Sequence, residues 1–195
     1  MKDTHLQTDT ILTFFQEAGC FKRGHSCFYD NQHGNGWVDI LPLMQNPTKL
    51  QHVADAMATL IIRKIGKPSI IISPAISGSI FGAFVAARLE VPFAVTKGKK
   101  DEVTFHRRYQ PAISDNVAFV EDIIYSGTDA RANLAFLRLY GFKNITTFSL
   151  MSRQIGEIDT SNVFSLVTSP FELYTSTDCP LCASGERVQY PSARE

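Results

Sequence analysis

Hydrophobic and polar positions form two kinds of pattern along this chain. After Asn46 and Pro47, a good N-cap and a good first helical residue, apolar side chains recur every three or four positions. Gly66 predicts the end of this helix. The N-terminal pattern is weaker: residues 11–18 predict a short helix, and residues 24–39, rich in Gly, His, Asn and aromatic residues, predict a loop or hairpin.

The second pattern consists of short apolar runs of the kind found in buried parallel strands. These runs are residues 70–72, 92–95, 117–120 and 145–151. Two helical stretches, residues 80–89 and 129–140, lie among them. Alternating strands and helices imply right-handed crossovers, so we predict an α/β fold with a mostly parallel, twisted sheet flanked by helices. Ligands of such sheets bind at the carboxyl ends of the strands.

The predicted organisation is a single α/β unit with additions at both ends. No repeat or long linker interrupts the chain. The three predicted regions are a helix and small N-terminal hood, an α/β core and a C-terminal tail, over residues 1–45, 46–170 and 171–195.

The charge of the chain excludes one class of partner. Nineteen Lys and Arg residues balance 19 Asp and Glu residues among 195, which argues against a mainly electrostatic nucleic-acid binder. No apolar run approaches the roughly 20 residues of a membrane helix, and the polar start lacks a signal-peptide pattern. We therefore expect a cytoplasmic protein that makes no membrane contact.

The four cysteines of the chain could act as metal ligands. Cys179 and Cys182 have the spacing of half a zinc site, and Cys20 with Cys27 would have to supply the rest. Six residues lie between Cys20 and Cys27, which is not the spacing of a zinc knuckle. We therefore favour reduced thiols or a tail turn over a four-cysteine zinc site, and expect no disulfide framework.

The strongest motif is the segment of residues 117–129. An apolar strand runs into Glu121 and Asp122, and a Ser-Gly-Thr turn then precedes a helix. Amides at a helix N-terminus bind phosphate, Ser126 and Thr128 add hydroxyl donors, and the carboxylates suit sugar hydroxyls or a hydrated magnesium. Helix capping alone explains the turn but not two carboxylates ending a buried strand, where desolvating charge is costly. We therefore favour phosphoribosyl binding over capping.

Other predicted loops contribute glycines and cations. Gly78 lies at a strand-to-helix turn, where the backbone can approach a phosphate, whereas we assign Gly82 to close packing of a helix on the sheet. Lys97 adjoins a strand end and suits a pyrophosphate group. Arg107 belongs to a charge run that is equally compatible with a solvated face. For Arg153, a surface salt bridge and a guanidinium fork on a planar carboxylate both stay open.

Residues 117–129 resemble the phosphoribosyl-pyrophosphate motif of type I phosphoribosyltransferases: an apolar run, two acids, two apolar residues and a similar turn. Other segments look like orotate phosphoribosyltransferases, the family closest to the whole pattern. They are the Gly-His segment at 24–39, the pyrophosphate loop at 73–78 with Ser73 and Ser77 where glycine is usual, the lysine-rich segment at 93–100, the Ser-Arg-Gln segment at 152–154 and the tail at 179–182. The resemblance runs from about residue 24 to residue 154.

This resemblance implies a reaction. A 5-phosphoribosyl group passes from phosphoribosyl pyrophosphate to a pyrimidine base, orotate in that family, giving orotidine 5′-monophosphate and pyrophosphate in de novo pyrimidine synthesis. It implies Mg²⁺ as cofactor, held mainly by phosphoribosyl pyrophosphate near Asp122. It also implies a homodimer, in which the mobile-loop lysine, here Lys100, acts across the subunits.

The resemblance also implies individual roles. Glu121 and Asp122 would hold the ribose hydroxyls, Lys97 and Lys100 would neutralise pyrophosphate, residues 126–129 would seat the 5′-phosphate, and Arg153 would meet the acceptor. The predicted catalytic residues are Lys100, Asp122 and Glu121. The predicted substrate-binding residues are Lys97, Lys100, Gly78, Glu121, Asp122, Tyr125, Ser126, Gly127, Thr128, Asp129 and Arg153.

Several positions depart from the family pattern and keep two alternatives open. Thr96 stands where the family usually has arginine, Tyr125 replaces the usual threonine, and Asp129 replaces a small or hydroxyl residue. A purine-salvage enzyme of the same fold is one alternative, although it usually places an acid at position 125. The other alternative is a regulatory protein that binds a nucleotide without turnover, for which Thr96 and Asp129 would mark a decayed site.

Overall fold

The computed structural model describes residues 2–28, 31–98, 102–125, 127–153 and 162–191. The strands are β1 Phe21–Cys27, β2 His33–Val38, β3 Ile70–Pro74, β4 Phe93–Lys97, β5 Thr104–Phe105, β6 Val117–Ile124, β7 Ile145–Ser152, β8 Val163–Thr168 and β9 Leu173–Tyr174. The helices are α1 Lys2–Glu17, α2 Leu41–Met44, α3 Pro47–Ile65, α4 Ser77–Leu89, α5 Thr128–Tyr140 and α6 Pro180–Ala183.

A six-stranded sheet with the order β5-β4-β3-β6-β7-β8 forms the centre of the described chain. The pairs from β4 to β8 are parallel, and the two-residue β5 adds an antiparallel edge. The predicted α/β fold class, with its mostly parallel sheet flanked by helices, is therefore confirmed.

Two hydrophobic layers cover the faces of this sheet. Strand alternation sends Ala118 and Val120 of β6 into the layer that contains α3 and α4. Val117 and Phe119 enter the opposite layer, beneath α5. Because β6 is buried on both faces, its sequence shows a continuous apolar run rather than an alternating one.

The predicted helices form, with differences at their ends. Asn46 caps α3, since its side chain accepts a hydrogen bond from the Lys49 amide at 3.1 Å. Helix α1 begins at Lys2 rather than near residue 11. The prediction missed its first turns because they are polar and carry no apolar periodicity. Strand β8 was not predicted: most of its residues are only partly buried, so it lacks the apolar run that marks the inner strands.

The hood is built from both ends of the chain. Strands β1 and β2 form the predicted hairpin, and β9 extends it to a three-stranded sheet. The tail also hydrogen-bonds to β1: the Cys27 amide donates to the Gln189 carbonyl at 2.8 Å, and the Gln189 amide donates to the His25 carbonyl at 2.7 Å. The predicted boundaries at residues 45 and 170 stay a prediction. Among the described helices, none is both long and apolar enough to cross a membrane.

Candidate active site

The two predicted carboxylates lie at the carboxyl end of β6, which runs four residues beyond its predicted end at residue 120. Asp122 is partly buried and accepts a hydrogen bond from the Ser77 hydroxyl, at the start of α4, at 2.6 Å. Burial raises the pKa of Asp122, and the Ser77 hydrogen bond partly offsets this rise. Asp122 therefore belongs to a site shared by β6 and the loop that follows β3.

Glu121 faces the other side of the sheet because successive strand residues point to opposite faces. It is 7% exposed, and its Oε2 atom has no hydrogen-bond partner among the described residues. Burial, followed by the charges of Asp122 and Asp129, raises the pKa of Glu121 well above its usual value. A buried polar atom without a partner needs an explanation, and a ligand that reaches this oxygen would supply one.

The first turn of α4, which follows β3, lies close to Asp122. A Cβ atom on Gly78 would lie 3.1 Å from the Pro74 ring and 3.8 Å from the Asp122 amide nitrogen. Gly78 was predicted at a strand-to-helix turn, and it is the second residue of α4, directly after that turn. Gly82 packs α4 on the sheet as predicted, since a Cβ atom there would meet the Ser73 hydroxyl at 2.0 Å.

The predicted phosphate turn opens α5. Gly127 is the N-cap, with φ at 79°, and its position receives no capping hydrogen bond from a side chain among the described residues. Thr128 and Asp129 are exposed in the first turn of α5. Glycine has no side chain with which to cap a helix, and Ser126 lies outside the described residues, so both the phosphate and the capping interpretation stay open.

Arg153 and Tyr125 form a second part of the site, beneath the hood. The Arg153 guanidinium lies 4.5 Å from the centre of the Phe28 ring and 5.0 Å from that of Tyr125, and donates to the Gly36 carbonyl at 2.9 Å. The Tyr125 hydroxyl donates to the Val38 carbonyl at 3.0 Å. Arg153 is 3% exposed, so the alternative of a surface salt bridge is wrong.

Two predicted cations, Lys97 and Arg107, and the residue Thr96, which departs from the family pattern, have no described contact with Glu121 or Asp122. Lys97 is exposed at the end of β4. Thr96, beside it, is buried and donates to the Asn133 side chain of α5 at 2.5 Å, so it serves packing between the sheet and α5. Arg107 is exposed in the turn after β5. Lys100 and Ser126, both predicted site residues, lie outside the described residues, and their roles stay predictions.

Sequence reasoning missed two contacts of this site. Ser77 entered the prediction only as a departure from glycine, yet it binds Asp122. Phe28 was not singled out, yet its ring stacks near Tyr125, with 5.3 Å between ring centres, and covers Arg153. The one available signal for Ser77 was a hydroxyl directly after a strand-end loop, and for Phe28 there was none.

Comparison with known proteins found relatives that span nearly the whole chain. No family model matches the chain. Orotate phosphoribosyltransferase from Heliobacterium modesticaldum is 24% identical over 190 residues, which are 97% of this chain and 100% of that one. Orotate phosphoribosyltransferase from Wolinella succinogenes is 26% identical and covers 94% of this chain and 97% of its own length.

Solved structures identify the fold. The crystal structure of orotate phosphoribosyltransferase from Aeropyrum pernix matches with a TM-score of 0.64 and 20% identity, over 79% of this chain and 90% of that one. This is the type I phosphoribosyltransferase fold. Adenine phosphoribosyltransferase from Thermoanaerobacter pseudethanolicus also matches, with a TM-score of 0.59 and 18% identity, over 69% of this chain and 88% of that one. The fold is thus common to relatives named for different bases, and the resemblance to orotate phosphoribosyltransferases predicted from sequence is confirmed over nearly the whole chain.

Proposed function

We propose that this chain is a phosphoribosyltransferase that transfers the 5-phosphoribosyl group of phosphoribosyl pyrophosphate to orotate, releasing pyrophosphate. The observation that carries the proposal is the position of Glu121 and Asp122, between the start of α4 at Gly78 and the N-terminus of α5. In the reaction, a bond forms between the ring nitrogen and C1 of the ribose, and the ring nitrogen loses its proton. The bond from C1 to the pyrophosphate oxygen breaks, and pyrophosphate leaves with the electron pair.

The contribution of the protein is positioning and electrostatics. Asp122, held by Ser77, and Glu121, whose Oε2 atom has no hydrogen-bond partner among the described residues, bind the ribose hydroxyls and lie near the positive charge that grows on the sugar. The Gly127 amide and the amides after it at the start of α5 bind the 5′-phosphate. The exposed Lys97, together with Lys100, neutralises the leaving pyrophosphate.

Magnesium fits this site. Carboxylate oxygens are ligands that Mg²⁺ accepts, and Asp122 is only partly buried, so the ion can keep its waters beside it. When bound with the substrate, the ion would supply positive charge to the pyrophosphate oxygens. Glu121 and Asp122 are the residues that would hold the hydrated ion with the ribose.

Arg153 favours orotate over a purine. A guanidinium offers several N–H donors in one plane, which match a carboxylate such as that of orotate, and the Phe28 ring covers the guanidinium from one side. The purine alternative would need an acid at position 125. Burial raises the pKa of Tyr125 to about 12, so its phenol stays protonated at neutral pH and cannot act as that base.

The proposal includes a cytoplasmic homodimer in which Lys100 of one subunit completes the site of the other. The support for the dimer is the resemblance of the lysine-rich segment, residues 93–100, to the family. A regulatory protein without turnover is the second candidate, because Thr96 is turned into the core and leaves the position of the family's arginine without a cation.

A steady-state assay tests these candidates together. The chain is incubated with phosphoribosyl pyrophosphate, Mg²⁺ and orotate, uracil, adenine, hypoxanthine or guanine, and pyrophosphate release is measured. We expect release with orotate only. Release with a purine and not with orotate would establish the salvage alternative. No release with any base, combined with nucleotide binding in titration calorimetry, would establish the regulatory alternative.

Asp122→Asn provides the site-specific control for this assay. We expect it to lose about 99% of turnover with orotate while the protein stays folded, because the amide cannot supply the carboxylate charge near the developing cation. Asp115→Asn, at an exposed loop position, should keep wild-type turnover. Unchanged activity of Asp122→Asn, with a cooperative thermal transition, would remove Asp122 from the mechanism.

A further inference from the structure

Four metal-binding side chains meet where the tail crosses the hood. His25 of β1 and His33 of β2 face Cys179, the residue before α6, and Cys182, which lies within α6. One ligand atom from each of the four lies within 4.8 Å of all the others. None of these residues belongs to the candidate active site described above.

The spacing of these atoms matches a small tetrahedral site. His25 Nε2 lies 3.5 Å from Cys179 Sγ and 3.6 Å from Cys182 Sγ, and His33 Nδ1 lies 3.2 Å from Cys182 Sγ. The two imidazole nitrogens are 2.8 Å apart. A tetrahedral zinc ion with ordinary bond lengths places nitrogen and sulfur about 3.6 Å apart and two nitrogens about 3.3 Å apart. For these four pairs, shifts of a few tenths of an ångström reach the distances of a tetrahedral site, and the remaining pairs also lie within 4.8 Å.

A hydrogen bond behind the site fixes the orientation of His25. Its Nδ1 atom lies 2.8 Å from the Glu186 carbonyl, which can only accept, so Nδ1 carries the proton. The lone pair of Nε2 then points to the cluster, as in histidine ligands whose other nitrogen is held by a carbonyl. The same tail segment orients the backbone, because the His25 amide donates to the Glu186 carboxylate at 3.0 Å.

The protein closes this cluster on most sides. His25 is fully buried, Cys179 is 3% exposed and His33 is 9% exposed, while Cys182 reaches solvent. Two cysteines and two histidines without an acidic member form the ligand set of structural zinc sites, and soft thiolates select against magnesium and calcium. Cys20, considered above as a partner of the tail cysteines, lies instead in the main hydrophobic core.

We propose that His25, His33, Cys179 and Cys182 bind one structural Zn²⁺ ion, which fastens the C-terminal tail to the hood. Both thiols lose a proton on binding, and the metal links segments that are far apart in sequence. The hairpin held in this way also carries the Gly36 and Val38 carbonyls, which contact Arg153 and Tyr125. The zinc site therefore stabilises the part of the hood that covers the candidate active site, and its existence does not depend on the proposed reaction.

Metal analysis of the full chain tests the proposal. The protein is purified under reducing conditions, freed of metal with a chelator and loaded with ZnCl₂, and bound zinc is measured after gel filtration. We expect about one zinc ion per chain in the wild type and below about 0.1 in Cys182→Ser or His33→Ala. Cys27→Ser is the matched control, because Cys27 lies on the same hairpin but outside the cluster, and it should keep the full zinc content.

Two further measurements use the wild-type chain and so do not depend on the folding of variants. Co²⁺ loaded in place of zinc should give the intense visible bands of a tetrahedral ion together with a thiolate charge-transfer band. Zinc should raise the melting temperature of the wild type and not that of Cys182→Ser. Absence of stoichiometric zinc, full zinc content in Cys182→Ser, or a Cys179–Cys182 disulfide in freshly purified protein would overturn the proposal.

Discussion

Glu121 and Asp122 are neighbours in the sequence, yet the fold gives them different surroundings. Asp122 has the Ser77 hydroxyl at 2.6 Å, whereas the Oε2 atom of Glu121 is buried without a partner among the described residues. A strand forces this difference, because adjacent side chains must point to opposite faces of the sheet. The free protein therefore buries the Glu121 carboxyl group at a cost in stability.

The cost at Glu121 should appear as a pH dependence of stability. Burial raises the pKa of Glu121, so its carboxyl group binds a proton more tightly in the native state than in the unfolded state, where its pKa is near 4.5. Between 4.5 and the raised native pKa, the contribution of Glu121 to the free energy of unfolding therefore falls as the pH rises. We expect Glu121→Gln to be more stable than the wild type at neutral pH, by on the order of 1 kcal/mol, and to lose this advantage below the unfolded pKa.

Urea unfolding between about pH 4 and pH 8 measures this effect. Glu102→Gln, at an exposed position, is the control for the removal of one carboxyl group from the surface. A stability difference between Glu121→Gln and the wild type that is the same at every pH would contradict the assignment.

Arg153 should be sensitive to a substitution that keeps its charge. Lysine retains one positive charge but lacks the planar fork and the stacking surface that face Phe28. We expect Arg153→Lys to lower kcat/KM for orotate about 100-fold, with a much smaller change in KM for phosphoribosyl pyrophosphate. Arg63→Lys, on the exposed side of α3, should leave both values unchanged. Equal losses for both substrates would instead indicate a general collapse of the hood.

At the scale of elements, two negative groups compete for the start of α5: the Asp129 carboxylate and the 5′-phosphate of the proposed substrate. The first-turn amides favour an anion, and Asp129 already places a carboxylate there, although it is not the N-cap. Asp129 also contributes to the raised pKa of Glu121, so its charge reaches into the site. A bound 5′-phosphate would experience the same repulsion.

Removing that charge should strengthen substrate binding. We expect Asp129→Asn to bind phosphoribosyl pyrophosphate several-fold more tightly than the wild type in titration calorimetry with Mg²⁺, since about 1 kcal/mol of repulsion is lost. The gain should shrink at high salt, because Asp129 is exposed and its charge is screened. Asp115→Asn controls for net charge. Weaker binding by Asp129→Asn would mean that the carboxylate assists the ligand.

At the scale of the whole molecule, the hood joins the two ends of the chain. Strand β9 pairs with β2, and the tail around Gln189 pairs with β1. The covered site then receives Gly36 and Val38 from the hood and the carboxylates from the core. The proposed dimer would add a lysine from a second subunit to this arrangement.

Subunit mixing tests the shared site. Lys100→Ala and Asp122→Asn chains are each expected to be inactive, but a mixed dimer has one site with the intact lysine and the intact carboxylate. When equal amounts are unfolded and refolded together, half of the dimers are mixed, so about a quarter of wild-type activity should return. Refolding each variant alone is the control. No recovery, with dimers present in gel filtration, would place both residues in the same subunit's site.

The local sequence determined the main elements and the contiguous motif of this protein. Periodic apolar residues placed α3, buried strands appeared as continuous apolar runs, and Glu121 to Asp129 stood together because one strand, one turn and one helix start supply them. These features depend on side chains within a few positions of one another. The half-exposed β8 escaped prediction because partial burial leaves a weak pattern.

The tertiary structure decided the contacts between distant segments. Ser77 reaches Asp122 across 45 positions, the Gly36 carbonyl accepts from Arg153 across 117, and Cys182 meets His33 across 149. No periodicity in the sequence encodes such pairs, because they arise only when parallel strands align their carboxyl ends and the tail folds back on the hairpin. The sequence therefore predicted which residues would carry the chemistry, and folding decided which side chains lie together.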